Sequence, residues 1–120
     1  YEVKNLNYNI ARLAWVGDYI DPNTFLEMLT STSGDNKTGW KNKRYDDLIR
    51  KAATLSNKEE LYEVFQQAES LLLDEVPIIP LYNYTTNNLI STQLKGYHQN
   101  ILDYYSYKHL YLEPNSTKAE

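Results

Sequence analysis

Residues 10 to 16, IARLAWV, form a nearly continuous apolar run that stops at Gly17-Asp18. A run of this kind predicts a strand over residues 8 to 16, covered on both faces as strands inside α/β sheets are. Gly17 lets the chain turn. A helix start follows, with Asp21 placed to cap it and Pro22 suited to its first position. Phe25, Leu26 and Leu29 give this short helix an apolar side.

Further along, residues 30 to 43, TSTSGDNKTGWKNK, read as a polar loop. The Gly34 to Gly39 spacing looks like a phosphate loop, but Trp40 stands where such a loop needs lysine. Asp46, Leu48, Ile49, Ala52 and Ala53 mark a second helix that ends near Leu55. Ser56 and Glu59 have the spacing of a capping box, which opens a third helix. Its Leu61, Val64, Phe65, Ala68, Leu71 and Leu72 recur at helical period as one buried stripe. Asp74 and Glu75 suit the negative end of that helix poorly, so both are expected to face water. Pro77 to Tyr84 is read as extended, because its two prolines forbid helix. Asn87 to Thr92 is read as a short strand, Lys95-Gly96 as a turn, and residues 101 to 112 as strand or strand plus turn. The tail beyond is expected to fray. The resulting order is β-α-α-α-β-β, an α/β pattern with few strands for its helices, and its sheet looks incomplete.

Composition narrows the function. A length of 120 residues suits one small domain with a single core. A charged fraction of 23% and a hydrophobic fraction of 42% are those of a globular chain. The formal net charge of −4 argues against nucleic acid as the main partner, since phosphate binding needs a basic face. Lys41, Lys43, Arg44, Arg50 and Lys51 form the densest basic cluster and are read as solvated surface. The absence of cysteine removes disulfides, thiolate catalysis and thiolate zinc sites. No run of about 18 apolar residues is present to span a membrane. The start at Tyr1 has no signal-peptide pattern and leads us to expect a mature or trimmed product. The 12 tyrosines suit half-wet surfaces such as clefts and lobe interfaces, although strand packing accounts for them as well.

Catalytic groups are scarce. His98 and His109 lack the spacing of metal ligands, and neither a zinc-protease helix motif nor a serine-nucleophile elbow occurs. Asp18 with Asp21 offers a carboxylate pair for glycoside chemistry, but Asp21 is better explained as a helix cap. That leaves Asp18, which has two readings. It either caps its turn, or it stands at the carboxyl end of a buried strand, where open α/β sheets place their ligands. In a cleft closed to water, a carboxylate prefers a cationic guest.

At these residues a family resemblance becomes clear. The stretches IARLAWVGDYIDPNTFLEML, TGWKNKRYDDLI, VFQQAESLLLDEVPIIPLYNY and LKGYHQNILDYYSYKHLYL together resemble the C-terminal part of oligopeptide-binding proteins. Those are the extracytoplasmic solute-binding components of ABC importers. The likeness covers roughly residues 6 to 112 and implies a C-terminal section of a two-lobed, type II periplasmic-binding-protein fold. It implies that residues 1–84 belong to the ligand-binding lobe. Residues 85–120 would return across the hinge toward the other lobe.

By motif, Asp18 resembles the aspartate that pairs with a bound peptide's α-ammonium. Trp15 is similar to a tryptophan lining that pocket, Arg12 to an arginine reaching toward a short peptide's carboxylate, and Tyr84 to a hinge-side tyrosine. Asn83 departs from the tyrosine common at its position. A core position for Trp15 and a solvent-facing one for Arg12 fit the sequence as well, so these readings stay open. The implied partners are short peptides and the importer's permease subunits, with no cofactor, no metal and no nucleic acid. Membrane association is expected only through a lipid anchor of the parent, in the periplasm or on the outer face of the cell membrane. The alternatives are an independently folded interaction domain of related ancestry and, third, a carboxylate-dependent hydrolase.

Overall fold

The computed structural model describes residues 2–100 and 102–114. They divide into two compact units, residues 1–81 and 82–120. The buried core lies wholly in the first.

Three helices build the first unit: α1 (Asn23–Leu26), continued by a 3-10 turn over Glu27–Leu29, α2 (Lys43–Ala52) and α3 (Lys58–Glu75). The expected α3 stripe is the buried one, with Val64, Phe65, Ala68 and Leu72 buried and Leu61 and Leu71 half-buried. It packs against Tyr45, Ile49 and Ala52 of α2 and against Leu26 and Leu29. Each fully buried aliphatic side chain here contributes about 1.5–3 kcal/mol by leaving water.

The caps differ from expectation. Asn57, not Ser56, caps α3: its Oδ1 accepts the N–H groups of Glu59 at 2.9 Å and Glu60 at 3.3 Å. The helix ends on Val76, in the left-handed region at φ 52°, whose N–H returns to the Leu72 carbonyl. α2 begins earlier than the apolar pattern shows, because Asn42 caps it by accepting the Tyr45 N–H at 3.1 Å. Glu75 is exposed but not idle. Its carboxylate accepts Trp40 Nε1–H at 2.6 Å and Asn42 Nδ2–H at 2.7 Å, closing the loop before α2 onto the end of α3.

The expected strand over residues 8–16 does not form. No residue from 8 to 17, Arg12 aside, makes a backbone–backbone hydrogen bond among the described residues. A strand exists only through its ladder, and the ladder seen among the described residues pairs residues 94–95 with 111–112. The side chain of Tyr8 holds its start, donating to the Lys37 carbonyl.

The second unit holds a two-stranded antiparallel ladder, β1 (Leu94–Lys95) with β2 (Tyr111–Leu112), paired Leu94↔Leu112 and Lys95↔Tyr111. Residues 79–91 lack regular structure, so the strand expected over Asn87–Thr92 is absent and the ladder starts later. Asn100 organises the turn between the strands: its Oδ1 accepts Leu102 N–H at 3.1 Å and its Nδ2 donates to the Tyr104 carbonyl at 2.6 Å. Tyr97 and Tyr105 stack with centroids 5.0 Å apart, and the Tyr105 hydroxyl donates to Asp103 at 2.6 Å. That hydrogen bond to a carboxylate is the main reason the Tyr105 pKa is raised.

Candidate functional site

Asp18 sits on a turn that α1 builds. Gly17 is pressed against the helix: a Cβ there would meet Thr24 Cγ2 at 3.0 Å and Phe25 Cζ at 3.3 Å. Thr24 is buried at 2% exposure, and its hydroxyl oxygen accepts the Asp18 N–H at 3.0 Å. Asp21 secures the entry to α1, as expected, by accepting the Asn23 N–H at 2.8 Å, although Pro22 lies just before the helix rather than within it.

Beside the turn, the Tyr19 hydroxyl donates to Glu27 at 2.6 Å, and Asn23 Nδ2 donates to Glu27 at 2.9 Å. Burial first, then donation to Glu27, pushes the Tyr19 pKa up to about 12. Backbone and neighbours are thus fixed, but the carboxylate is not consumed. Asp18 is exposed, and its carboxylate makes no hydrogen bond or ion pair among the described residues.

Three residues earlier, Trp15 is half-buried, and its indole N–H is buried without an acceptor among the described residues. Leaving a buried donor unpaired costs about 1–3 kcal/mol. The segment therefore presents an acceptor lacking donors and a donor lacking an acceptor. Arg12 is exposed on the same segment. Tyr84 belongs to the second unit, where it is exposed and meets Tyr82 edge to face at 5.0 Å, with the two hydroxyls 3.2 Å apart.

Thr24 was not singled out by sequence, yet it holds the Asp18 backbone. The signal available was a small hydroxyl residue within the first turn after Asp21-Pro22. The motif around Trp40 serves the fold. Trp40 packs edge to face on Tyr45 at 4.9 Å, and Asp46 accepts the Ser31 N–H at 2.8 Å. In the basic cluster, Lys43 and Arg50 both pair with Asp47, at 2.7 and 2.6 Å, and these bonds lower its pKa. A cavity of about 190 Å³ in the second unit is bordered by Tyr97, His98, Tyr105 and His109, and Tyr84 is not part of it. Among the described residues no cluster of three or more acidic or histidine side chains is arranged to hold a metal, and no helix is long and apolar enough to cross a membrane.

No family model matches the chain. Curated proteins do match. The periplasmic murein peptide-binding protein MppA of Escherichia coli (strain K12) is 40% identical over 91 residues, covering 76% of this chain and 17% of that protein. The dipeptide-binding protein DppE of Bacillus subtilis (strain 168) is 39% identical over 93 residues, or 78% of this chain and 17% of that protein. The solved unliganded open form of MppA, a murein tripeptide binding protein, superposes with a TM-score of 0.74 at 33% identity. That superposition covers 92% of this chain and 22% of MppA.

The chain belongs to the oligopeptide-binding protein family. Its fold is a partial α/β fold of the periplasmic-binding-protein type, and its place is extracytoplasmic. Members of this family are solute-binding proteins rather than enzymes. The chain spans about a fifth of the length of the relatives it matches. One relative, YgiS of Escherichia coli (strain K12), is named for deoxycholate binding and is 31% identical over 89% of this chain.

Proposed function

We propose that this chain is a section of a peptide-capture receptor for an ABC importer, with Asp18 as the anchor for the peptide's α-ammonium. The observation that carries the reading is Asp18, whose backbone is held by Thr24 beside the close-packed Gly17 while its exposed carboxylate makes no bond of its own among the described residues. A receptor that accepts many peptides must hold what all of them share, namely two charged termini and a backbone. An ammonium pairs with Asp18, and the half-buried Trp15 ring lines the same segment. A bile-acid anion, by contrast, is repelled by a carboxylate at this position.

In this reading residues 1–84 contribute to the ligand-binding lobe and residues from 85 onward to the other lobe, and Arg12 and Tyr84 are each candidate peptide contacts. The section has no catalytic part, and the importer's permease subunits receive the loaded receptor. An independent interaction domain is disfavoured by Ile10, which is left 93% exposed in the apolar run.

The test is calorimetry on a complete receptor carrying this section. Asp18→Ala should weaken binding of a short peptide by 100-fold or more, about 2.7 kcal/mol. N-acetylation of the peptide should cost a similar factor in the parent receptor and add little in the variant. An acetylated peptide bound as tightly as the free one removes Asp18 from the site.

A further inference from the structure

The Asp18 turn is tied to the helix behind it at more than one point. On one side, the Asp18 N–H donates to the Thr24 hydroxyl oxygen at 3.0 Å. On the other, the next side chain, Tyr19, joins a closed ring of hydrogen bonds with Asn23 and Glu27. The Tyr19 hydroxyl donates to Glu27 Oε1 at 2.6 Å. Asn23 Nδ2 donates to Glu27 Oε2 at 2.9 Å and to the Tyr19 hydroxyl oxygen at 3.1 Å. The Tyr19 carbonyl also accepts the Asp21 N–H at 3.1 Å.

Glu27 is exposed, yet no lysine, arginine or histidine pairs with it among the described residues, and neutral donors take both its oxygens. The Asn23 amide is turned toward the ring at its own expense. Its Nδ2 faces Tyr19 and Glu27, and its Oδ1 is left buried with no partner among the described residues. The opposite orientation would set that oxygen against the Glu27 carboxylate, so the charge on Glu27 selects the one seen. Asn23 opens α1 and Glu27 opens the 3-10 turn that continues it, so a ring closed through them ties Tyr19 to a helical frame. Asp18 and Glu27 therefore differ in kind. One carboxylate is free to take a ligand, and the other is occupied in holding a neighbour.

We infer that Tyr19 and Glu27 are positioning residues for Asp18. The ring holds the side chain that follows Asp18 while Thr24 holds its amide, which leaves the peptide unit between residues 18 and 19 little freedom to swing. An ammonium then meets a carboxylate whose backbone is already placed, and binding is spared the cost of ordering it. The inference rests on the Asp18 reading above and adds to it residues that need not touch the peptide.

The test is calorimetry on the complete receptor, using one short peptide with a free and with an acetylated amino terminus. Tyr19 and Glu27 lie outside the buried core, so substitutions there should keep the fold. Glu27→Ala and Tyr19→Phe should each weaken the free peptide about tenfold and leave the acetylated one unchanged, since a loosened support costs only the contact it supports. Glu27→Gln should restore most of the affinity, because its amide oxygen still accepts the Tyr19 hydroxyl. In an Asp18→Ala background, Glu27→Ala should have no further effect, as expected of residues that act through one another.

A Glu27→Ala receptor that keeps the full preference for the free amino terminus overturns the inference. So does an equal loss for both peptides, which would make the ring a general stabiliser. So does Glu27→Gln falling as far as Glu27→Ala, which would make Glu27 a charge for the ammonium rather than a support. The Asp18 reading fails by a different result, an unsubstituted receptor with no preference for the free terminus, and the role of the ring falls with it.

Discussion

The Tyr45 hydroxyl donates to the Leu26 carbonyl oxygen at 2.8 Å, a buried bond that joins α2 to α1. Tyr45 is one of the largest fully buried side chains, so this bond lies at the centre of the core that supports the Asp18 turn.

Tyr45→Phe keeps the ring and removes this hydrogen bond to the Leu26 carbonyl, which should cost about 0.5–1.5 kcal/mol in denaturant unfolding. The alkaline behaviour provides a second readout. Burial, and secondarily the charges of Asp46 and Glu69, raise the Tyr45 pKa above its ordinary 10.0. The folded chain therefore holds this proton more tightly than the unfolded chain. The stability so contributed is complete below pH 10.0 and is lost as the pH rises from there toward the folded value. Thermal melts should show a midpoint that declines above that pH, and Tyr45→Phe should flatten the decline. A variant that declines as steeply as the parent would contradict this assignment.

The α3 cap separates what the sequence pattern specifies from what it leaves open. Ser56 with Glu59 has capping-box spacing, but Asn57 sits one residue closer to the helix and its Oδ1 reaches two N–H groups at once. Local pattern finds a helix start to within a residue, and geometry chooses between adjacent candidates. Asn57→Ala should lower stability by about 1 kcal/mol. Ser56→Ala should leave it nearly unchanged. The reverse order in thermal melts would restore the capping box.

The helices were legible because the α3 stripe and the apolar side of α2 bury against each other within the first unit. The strand over residues 8–16 was not, since the same apolar run that marks a covered strand says nothing about where its cover comes from. Asp18 was legible as a position. Its support was not, because a buried threonine whose hydroxyl oxygen accepts a backbone N–H leaves no periodic trace in sequence. The residues around Trp40 help to mark the family, yet their hydrogen bonds to Glu75, Ser31 and Leu26 are structural. A motif can identify a fold through the residues that hold it together rather than through those that meet the ligand.

Gly96 offers the sharpest test of the second unit. It adopts φ 78°, and a Cβ there would lie 2.0 Å from the His109 carbonyl oxygen and 2.9 Å from its carbon. The obstacle is backbone, so no side chain can swing aside. The left-handed conformation alone costs an L-residue about 1–2 kcal/mol, and the overlap adds to it. Gly96→Ala should therefore open the ladder between Leu94–Lys95 and Tyr111–Leu112. Hydrogen exchange gives a local readout at Glu113, whose N–H donates to the Gln93 carbonyl at 2.9 Å beside that ladder. The variant should lose protection at Glu113 and keep it along α3, whose core contacts lie in the first unit. Unchanged protection at Glu113 would mean that His109 does not lie against Gly96.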